Sequence, residues 1–321
     1  MNTQSDIPTF EDVVEARARI QPYVHTTPVL TSTFFNQLTA AELFFKCENF
    51  QKAGAFKVRG ACNAVFGLSD DQAAKGVATH SSGNHALSLS YAAQQRGIKA
   101  SVVMPRTAPT AKKDAVRGYG GEVFECEPST TAREAMLEEL VALSGADFVH
   151  PYNDHRVIAG QATCSLELNE QVGKLDAVVA PIGGGGMISG TCLTMTKLSP
   201  GTLIYAAEPK NADDAWRSFH AGKIIEDDAP DTVADGLKVS LRPRTWHFVS
   251  HYVKDVLLVS EEEIIDAMYL IWQRMKIVVE PSSSVALASI IKNRALFSGK
   301  RVGVILTGGN VDLKKLPWNN L

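Results

Sequence analysis

The sequence predicts an α/β fold with two open, twisted, mostly parallel β-sheets, and two patterns carry this prediction. Short runs rich in Val, Ile and Leu alternate with helical patterns of about 10 to 15 residues over most of the chain. Such runs are typical of parallel strands that are buried on both faces. Several runs end directly in turns rich in Gly, Ser or Thr, and open α/β sheets bind ligands at that end of their strands.

Length, charge and cysteine content exclude several classes of protein. A chain of 321 residues with a net charge of −3 has room for about two domains. It lacks the basic charge that favours binding to nucleic acid or to an anionic membrane. No apolar run approaches the ~20 residues needed to span a bilayer. The N-terminal segment is polar and acidic, and the five cysteines are far apart, so we expect a cytoplasmic enzyme with reduced thiols.

The predicted elements follow from local signals along the chain. The first is a helix after Thr9, because Thr9 and Asp12 are spaced as a capping box and Val13, Val14 and Ile20 supply apolar positions. The predicted strands are residues 43–47, 76–79, 100–104, 122–126, 177–182, 203–207, 256–259 and 302–306.

Four consecutive glycines follow one predicted strand and precede a helix that begins near Met187. Without Cβ atoms, Gly183, Gly184, Gly185 and Gly186 allow backbone N–H groups to converge on an anion at the positive end of the helix. The spacing matches neither a nucleoside-triphosphate loop nor a clean dinucleotide fingerprint, so it favours a single phosphate. The alternative is a tightly packed strand-to-helix turn that binds nothing.

Seven segments together resemble one known family. They are ENFQKAGAFKVRGA from residue 48, THSSGNH from 79, HPYNDHRVIAGQAT from 150, PIGGGGM from 181, AAEPKNADDA from 206, IVVEPSS from 277 and ILTGGN from 305. Over nearly the whole chain they resemble the fold-type II pyridoxal-phosphate enzymes, which include serine racemase, the serine and threonine dehydratases and the 3-hydroxyaspartate ammonia-lyases. The resemblance implies a tryptophan synthase β-like fold and pyridoxal 5'-phosphate as the cofactor.

The resemblance also implies roles in cofactor binding. Lys57 would bind the cofactor aldehyde covalently and then act as general base at the substrate α-carbon, with Phe56 packed beside the cofactor ring. Asn84 would hydrogen-bond the ring hydroxyl, and residues 183–187 would hold the phosphate. Thr307 would face the pyridine nitrogen, where a neutral hydroxyl favours β-elimination over transamination.

The turn before the helix at residue 85 is the predicted substrate site. By resemblance, Ser81, Ser82, Asn84 and His85 would offer backbone N–H groups and polar side chains to the substrate carboxylate. Ser82 would also stand opposite Lys57, where racemases use a second acid/base. From the residues alone, Ser81 or Ser82 could equally be only the N-cap of the helix.

Glu208, the carbonyl of Ala212 and Asp214 match the family's divalent-cation site. Carboxylate and carbonyl oxygens are ligands that magnesium, manganese and calcium prefer, and the expected role is structural or activating. The alternative is that Asp213 or Asp214 caps the helix that starts near Ala215.

The substrate prediction rests on three further segments, MPRTAPTAKKD, TWHFV and GGNVDLKKLPW. They resemble bacterial 3-hydroxyaspartate dehydratases, which implies elimination of water from 3-hydroxyaspartate and formation of oxaloacetate and ammonia. A second substrate carboxylate needs a cation, best an arginine. Arg133 matches an arginine that approaches the substrate in the serine racemase branch, whereas Lys238 and Tyr119 are weaker candidates.

Two alternatives of different classes stay open. The first is a serine/threonine dehydratase or a serine racemase, although Tyr152 and Val239 replace an Asn and a Ser of mammalian serine racemases and disfavour racemisation. The second is a non-catalytic amino-acid sensor, which the joint presence of Lys57, Ser82 and Asn84 disfavours.

The site residues also predict the domain organisation. Residues 76–150 would form a small mobile domain inserted in a large cofactor-binding domain, formed by residues 1–75 and 151–321. Closure of one domain on the other would expel water from the site. The resemblance further implies a homodimer.

Overall fold

A computed structural model of the chain describes residues 7–227 and 229–318. The strands are β1 (Val29–Leu30), β2 (Glu42–Cys47), β3 (Val77–His80), β4 (Ala100–Pro105), β5 (Glu122–Cys126), β6 (Asp147–Phe148), β7 (Ala177–Pro181), β8 (Leu203–Pro209), β9 (Asp255–Val259) and β10 (Arg301–Leu306). The helices are α1 (Phe10–Ile20), α2 (Thr33–Thr39), α3 (Lys57–Phe66), α4 (Asp70–Ala74), α5 (Asn84–Arg96), α6 (Thr110–Gly118), α7 (Thr130–Ser144), α8 (His155–Val172), α9 (Gly186–Leu198), α10 (Asp214–Ala221), α11 (Pro243–Tyr252), α12 (Glu261–Met275), α13 (Pro281–Lys292) and α14 (Arg294–Phe297).

The larger sheet has six strands in the order β1-β2-β10-β7-β8-β9. β1 is antiparallel to β2, and the other neighbouring strands are parallel. Successive residues of β7 belong to two different hydrophobic clusters. Ala177 and Val179 pack with residues of α12 and α13, whereas Val178 and Ala180 pack with residues of α8 and α9. Because helices cover both faces, the strand sequences are continuously apolar instead of alternating.

The smaller sheet has four parallel strands in the order β5-β4-β3-β6. All four come from residues 77–148, which lie in the chain between β2 and β7 of the larger sheet. Val102 packs with residues of α5 and α6, and the next residue, Val103, packs with residues of α7. The second sheet is therefore also covered on both faces.

The predicted fold class is confirmed, and each predicted strand is present with its ends within two residues. The Thr9–Asp12 capping box at the start of α1 is confirmed as well. Val14, however, is exposed, and Val13, Ala16 and Ile20 form the buried face of α1. The two-residue strands β1 and β6 went unpredicted because a strand of that length has no detectable hydrophobic pattern.

Two further observations concern the cysteines and the described helices. All five cysteines are buried and free, which fits reduced thiols. Among the described helices, none has the length and apolar character needed to cross a membrane.

Candidate active site

Three neighbouring strands of the larger sheet end at one edge, and each leads to a predicted site residue. β2 leads through two short 3₁₀ turns to Lys57, β10 is followed by Thr307, and β7 is followed by the glycine run. The backbone N–H of Phe56 donates a hydrogen bond of 3.0 Å to the carbonyl of Thr307. The order of the strands therefore brings the predicted cofactor residues together in one crevice.

Lys57 is a half-buried amine at the first position of α3. Its Nζ donates a hydrogen bond of 2.8 Å to the carbonyl of Pro151 and lies 5.1 Å from the centroid of the Phe56 ring. Desolvation lowers the pKa of Lys57 to about 8, while the charge of Glu280 acts in the opposite direction. An amine with this pKa exchanges protons readily near neutral pH, as a nucleophile and a general base must.

The glycine loop, residues 183–186, packs against Tyr152 and Leu237. A Cβ atom on Gly184 would lie 2.5 Å from three ring atoms of Tyr152, and one on Gly183 would lie 2.9 Å from Cα of Leu237. These two positions therefore require glycine because neighbouring atoms occupy the space of a side chain.

The same loop forms the start of α9. Gly185 has a φ of +87°, and α9 begins at Gly186, followed by Met187, without a side-chain cap. No side chain caps the first N–H groups of this 13-residue helix, and these groups point toward the crevice. Free N–H groups at a helix start are well suited to binding phosphate.

Thr307 lies next to a second hydroxyl. Its Oγ1 is 3.2 Å from Oγ of Ser283, and both side chains are buried. The Ser283 hydroxyl also accepts a hydrogen bond of 2.7 Å from the N–H of Gly308. This part of the crevice thus offers neutral hydroxyls, as predicted for Thr307, and the neighbouring Ser283 was not predicted.

Asn84 and Glu280 form the polar contact between the turn after β3 and the larger sheet. The Asn84 amide donates to both Glu280 carboxylate oxygens, and Asn310 donates to Oδ1 of Asn84 at 2.9 Å. Burial raises the pKa of Glu280 to about 7, against the effect of the hydrogen bond from Asn84. Glu280 lies in the IVVEPSS segment, but spacing alone gave no reason to single out this carboxylate.

The serine turn differs from one alternative raised by the sequence. The N-cap of α5 is Gly83, with no side-chain cap, so neither Ser81 nor Ser82 caps the helix. Gly83 stands between both serines and the first helical N–H groups, and the Ser81 hydroxyl instead accepts a hydrogen bond of 3.3 Å from the N–H of Gly83. His85, the second residue of α5, is buried with Nε2 3.1 Å from the carbonyl of Val149.

Neutral imidazoles and arginine charges define another wall of the crevice. The His80 and His150 ring centroids are 6.1 Å apart. Burial, followed by the charges of Arg133 and Arg242, lowers the pKa of His80 to about 4. Burial and His80 lower the pKa of His150 to about 3. Arg133, on α7, thus lies close enough to His80, at the end of β3, for its charge to lower the pKa of that imidazole.

The two weaker candidates for substrate binding, Lys238 and Tyr119, have different surroundings. Lys238 is exposed. Tyr119 packs edge-on against Tyr91 of α5, with 5.7 Å between the ring centroids, and both belong to one apolar cluster. Tyr119 therefore contributes to the packing of α5, and Lys238 faces solvent.

Glu208 and Asp214 are both buried near the start of α10. The Glu208 carboxylate accepts hydrogen bonds from the N–H groups of Ala215 at 2.8 Å and Trp216 at 2.7 Å. Glu208 thus satisfies the helix start that the sequence alternative assigned to an Asp213 or Asp214 side chain, since Asp213 makes no side-chain cap.

The electrostatic environment of Glu208 and Asp214 is compatible with a bound cation. Burial and Asp214 raise the pKa of Glu208, burial raises the pKa of Asp214 to about 6, and Oδ2 of Asp214 is buried without a protein partner. In the described ranges no cluster of three His, Cys, Asp or Glu side chains could hold a metal. Two carboxylates and the carbonyl of buried Ala212 are the donor set that remains.

The crevice residues fit a phosphorylated aromatic aldehyde. The Lys57 amine has a lowered pKa, the glycine loop excludes side chains in front of the uncapped α9, and Thr307 is a buried neutral hydroxyl. These groups match an aldehyde, a phosphate and a ring nitrogen in turn. The Tyr152 ring covers Gly184. The resemblance identifies Tyr152 only as a departure from mammalian serine racemases, and no pattern in the sequence predicts its packing on the glycine loop.

Comparisons with known proteins agree with this chemistry. A sequence profile of the family described as "Pyridoxal-phosphate dependent enzyme" matches residues 20–308. The beta-hydroxyaspartate dehydratase of Paracoccus denitrificans is 67% identical over 98% of this chain and 99% of its own length. The structure of maize serine racemase has a TM-score of 0.95 at 45% identity, covering 98% of this chain and 97% of that chain. Serine racemase from Dictyostelium discoideum has a TM-score of 0.92 at 47% identity, covering 95% of this chain and 99% of that chain.

Proposed function

This chain belongs to the pyridoxal-phosphate-dependent enzymes, and from this premise we propose that it is a 3-hydroxyaspartate ammonia-lyase, that is, a dehydratase. The observation that carries the substrate is the 67% identity to a beta-hydroxyaspartate dehydratase over 98% of the chain. The reaction removes the α-proton and the β-hydroxyl of 3-hydroxyaspartate as water. The enamine that is released tautomerises to an imine, which takes up water and yields oxaloacetate and ammonia.

Pyridoxal phosphate, when bound, supplies an electron sink that stabilises negative charge at the substrate α-carbon. The chain's own residues hold it and move the protons. Lys57 would hold it covalently through Nζ, the glycine loop and the start of α9 would bind its phosphate, and Thr307 would face its ring nitrogen. Phe56, next to Lys57, would pack beside the ring, and Asn84, held by Glu280, would bind the ring hydroxyl.

Proton transfer at the α-carbon is the proposed task of the Lys57 amine. Its pKa of about 8 lies close to the pH at which a general base is most effective. We propose Ser82 as the group on the opposite face. Its position two residues before Asn84, in the turn after β3, supports this assignment.

The turn after β3 and the side chain of Arg133 would orient the substrate. The N–H groups of Ser81, Ser82, Asn84 and His85 and the hydroxyls of the two serines would bind the α-carboxylate, since the start of α5 carries no side-chain cap. Arg133 would approach the second carboxylate, and its electrostatic effect on His80 supports a place near the end of β3.

A divalent cation at Glu208, Ala212 and Asp214 is the second proposed cofactor. The unpartnered, buried Oδ2 of Asp214 and the raised pKa values of both carboxyls support it, because a cation would offset the repulsion between two buried carboxylates. Magnesium, manganese and calcium share this oxygen-ligand preference, and the role would be structural or activating.

The domain division is likewise a proposal. Residues 76–150 would move as a small domain against residues 1–75 and 151–321, closing over the substrate. The contact of Asn84 with Glu280 and the ion pair of Lys112 with Asp235, at 2.6 Å, join the two parts and support a closed arrangement. A homodimer in the cytoplasm is proposed on the family resemblance and on the five free cysteines.

The test of function is a substrate panel on the purified holoenzyme. Threo- and erythro-3-hydroxyaspartate, L-serine, D-serine and L-threonine are supplied separately, and oxaloacetate, pyruvate, 2-oxobutanoate and ammonia are quantified. The proposal expects oxaloacetate and ammonia in equal amounts from a 3-hydroxyaspartate isomer. Rapid turnover of serine or threonine with none of 3-hydroxyaspartate would instead establish the serine/threonine dehydratase alternative.

A further inference from the structure

Arg242 is a charged residue in a turn that packs against the glycine loop. Its neighbour Leu241 and the residue three positions on, Thr245, both approach Gly185, where a Cβ atom would lie 2.8 Å from an atom of each. The backbone N–H of Arg242 donates a hydrogen bond of 3.1 Å to Oγ1 of Thr245. The base of the Arg242 side chain is therefore fixed at the edge of the proposed phosphate site.

Residues 152 and 153 hold this turn from the side of the catalytic amine. The Tyr152 hydroxyl donates a hydrogen bond of 3.0 Å to the carbonyl of Ser240, and the N–H of Arg244 donates to Oδ1 of Asn153 at 3.1 Å. The Tyr152 ring centroid lies 5.9 Å from Nζ of Lys57. One tyrosine ring thus separates the turn that carries Arg242 from the amine that would act at the α-carbon.

The charges around Arg242 favour an anion in this part of the crevice. Burial lowers the pKa values of His80 and His150, and the charge of Arg242 adds to that effect at both imidazoles, so both imidazoles are neutral near pH 7. Arg133 acts on the same His80 from the other sheet. Two arginines, one from each side of the crevice, therefore lie within electrostatic range of a single imidazole.

We propose that Arg242 is a substrate-binding residue that binds the second carboxylate of the dicarboxylic substrate from the larger sheet and so sets selectivity over serine. The inference rests on the proposed function, because serine has no second carboxylate. A guanidinium binds carboxylate with paired, directional hydrogen bonds. With Arg133 on the opposite side, the carboxylate would be held between the two sheets.

Besides its interaction with the Tyr152 hydroxyl, Arg242 pairs with a carboxylate that a substrate can replace. Nη1 of Arg242 is 2.6 Å from Oε1 of Glu226, and the two side chains are 37% and 53% exposed. An ion pair this exposed contributes little to stability. Exchange of the Glu226 carboxylate for a more enclosed substrate carboxylate therefore needs no rearrangement of the fold.

The test compares Arg242→Gln with Glu226→Gln, which removes the other half of the same ion pair. For Arg242→Gln we expect kcat/KM for 3-hydroxyaspartate to fall by about 30-fold or more, because the partner carboxylate loses its charge-assisted bonds, while kcat/KM for serine stays within about two-fold. Arg242→Lys should give an intermediate loss. Glu226→Gln should keep kcat/KM for 3-hydroxyaspartate at or above the wild-type value. Equal losses in both variants, or equal losses on both substrates, would mean that the pair is structural and would overturn the inference.

A binding measurement separates this inference from the proposed function. Succinate, which has two carboxylates but neither amine nor hydroxyl, and propionate, which has one carboxylate, are titrated into the holoenzymes by calorimetry. Succinate affinity should fall by about ten-fold or more in Arg242→Gln, with no change for propionate. If wild type releases no oxaloacetate from 3-hydroxyaspartate, the proposed function fails, and the succinate comparison still decides whether Arg242 binds a carboxylate. Unchanged succinate affinity in Arg242→Gln rejects that role.

Discussion

The side-chain amide of Asn84 donates hydrogen bonds of 2.8 and 3.1 Å to the two carboxylate oxygens of Glu280. Asn84 begins the helix that follows β3 of the smaller sheet, and Glu280 precedes α13, which packs on the larger sheet. The contact therefore joins the two sheets at the crevice. Because burial raises the pKa of Glu280 to about 7, the charge of this contact changes near neutral pH.

Replacing Glu280 should remove one component of the pH dependence of stability. Between about pH 4.5 and 7 the native state holds a proton on Glu280 that the unfolded chain releases. This carboxyl therefore makes the free energy of unfolding fall as pH rises, by at most about 1.4 kcal/mol per pH unit. Urea denaturation of the cofactor-free protein at pH 5 and pH 7.5 should show a smaller decrease in Glu280→Gln than in wild type. An identical decrease in both proteins would contradict the raised pKa.

Replacing Lys57 should abolish function without loss of fold. Lys57→Met should release no oxaloacetate and should lack the visible absorbance of covalently bound cofactor. Its cofactor-free form should have a urea midpoint at pH 7 equal to or above the wild-type value, because desolvation of the Lys57 ammonium disfavours the native state. Lys52 is a nearby lysine that is exposed. Lys52→Met is therefore the control and should retain both absorbance and activity. Covalent cofactor in Lys57→Met would refute the assignment.

A methyl group on the glycine loop should displace the Tyr152 ring. In Gly184→Ala the new Cβ would lie 2.5 Å from three ring atoms, and relief of such overpacking costs about 1–3 kcal/mol. We expect that loss in the free energy of unfolding, with cofactor affinity at least about ten-fold lower. Gly118→Ala, where a Cβ meets open space without positive φ, should change stability by no more than about 0.5 kcal/mol. Similar effects of the two substitutions would mean that the loop tolerates a side chain.

A divalent cation should stabilise the protein through Glu208. Magnesium or manganese at about 100-fold over its dissociation constant should add about 3 kcal/mol to stability, seen as a rise in Tm of the chelator-treated enzyme. Glu208→Gln should lose most of this rise. Asp213→Asn, which changes a nearby carboxylate paired with Arg217 at 2.7 Å, should keep it. The same rise in Glu208→Gln would place the cation elsewhere.

The sequence predicted the sheets better than the contacts between side chains. Strands such as β7 and β10 have a local cause, since a continuous apolar run between turns has few other solutions. The Thr9–Asp12 capping box is equally local. By contrast, Glu280 approaches Asn84 across 196 positions of sequence, and no pattern within either segment encodes that approach.

The residues at helix starts show the same difference between local signals and tertiary contacts. Glu208 caps α10 through the N–H groups of Ala215 and Trp216, although Asp213 and Asp214 are nearer in sequence to an ordinary cap. Arg242 is another instance, because only the packing of its turn on Gly185 brings it toward the crevice. Chemistry that depends on tertiary neighbours was thus visible only where a family resemblance supplied it.

Selectivity for a dicarboxylic hydroxy-amino acid can be measured directly by internal competition. The holoenzyme is given an equimolar mixture of 3-hydroxyaspartate and L-serine labelled with carbon-13, so that labelled pyruvate arises only from serine, even if some oxaloacetate decarboxylates. The ratio of unlabelled to labelled keto acid gives the ratio of the two kcat/KM values. We predict a ratio of at least about 30 in favour of 3-hydroxyaspartate. A ratio at or below one would contradict the proposed function.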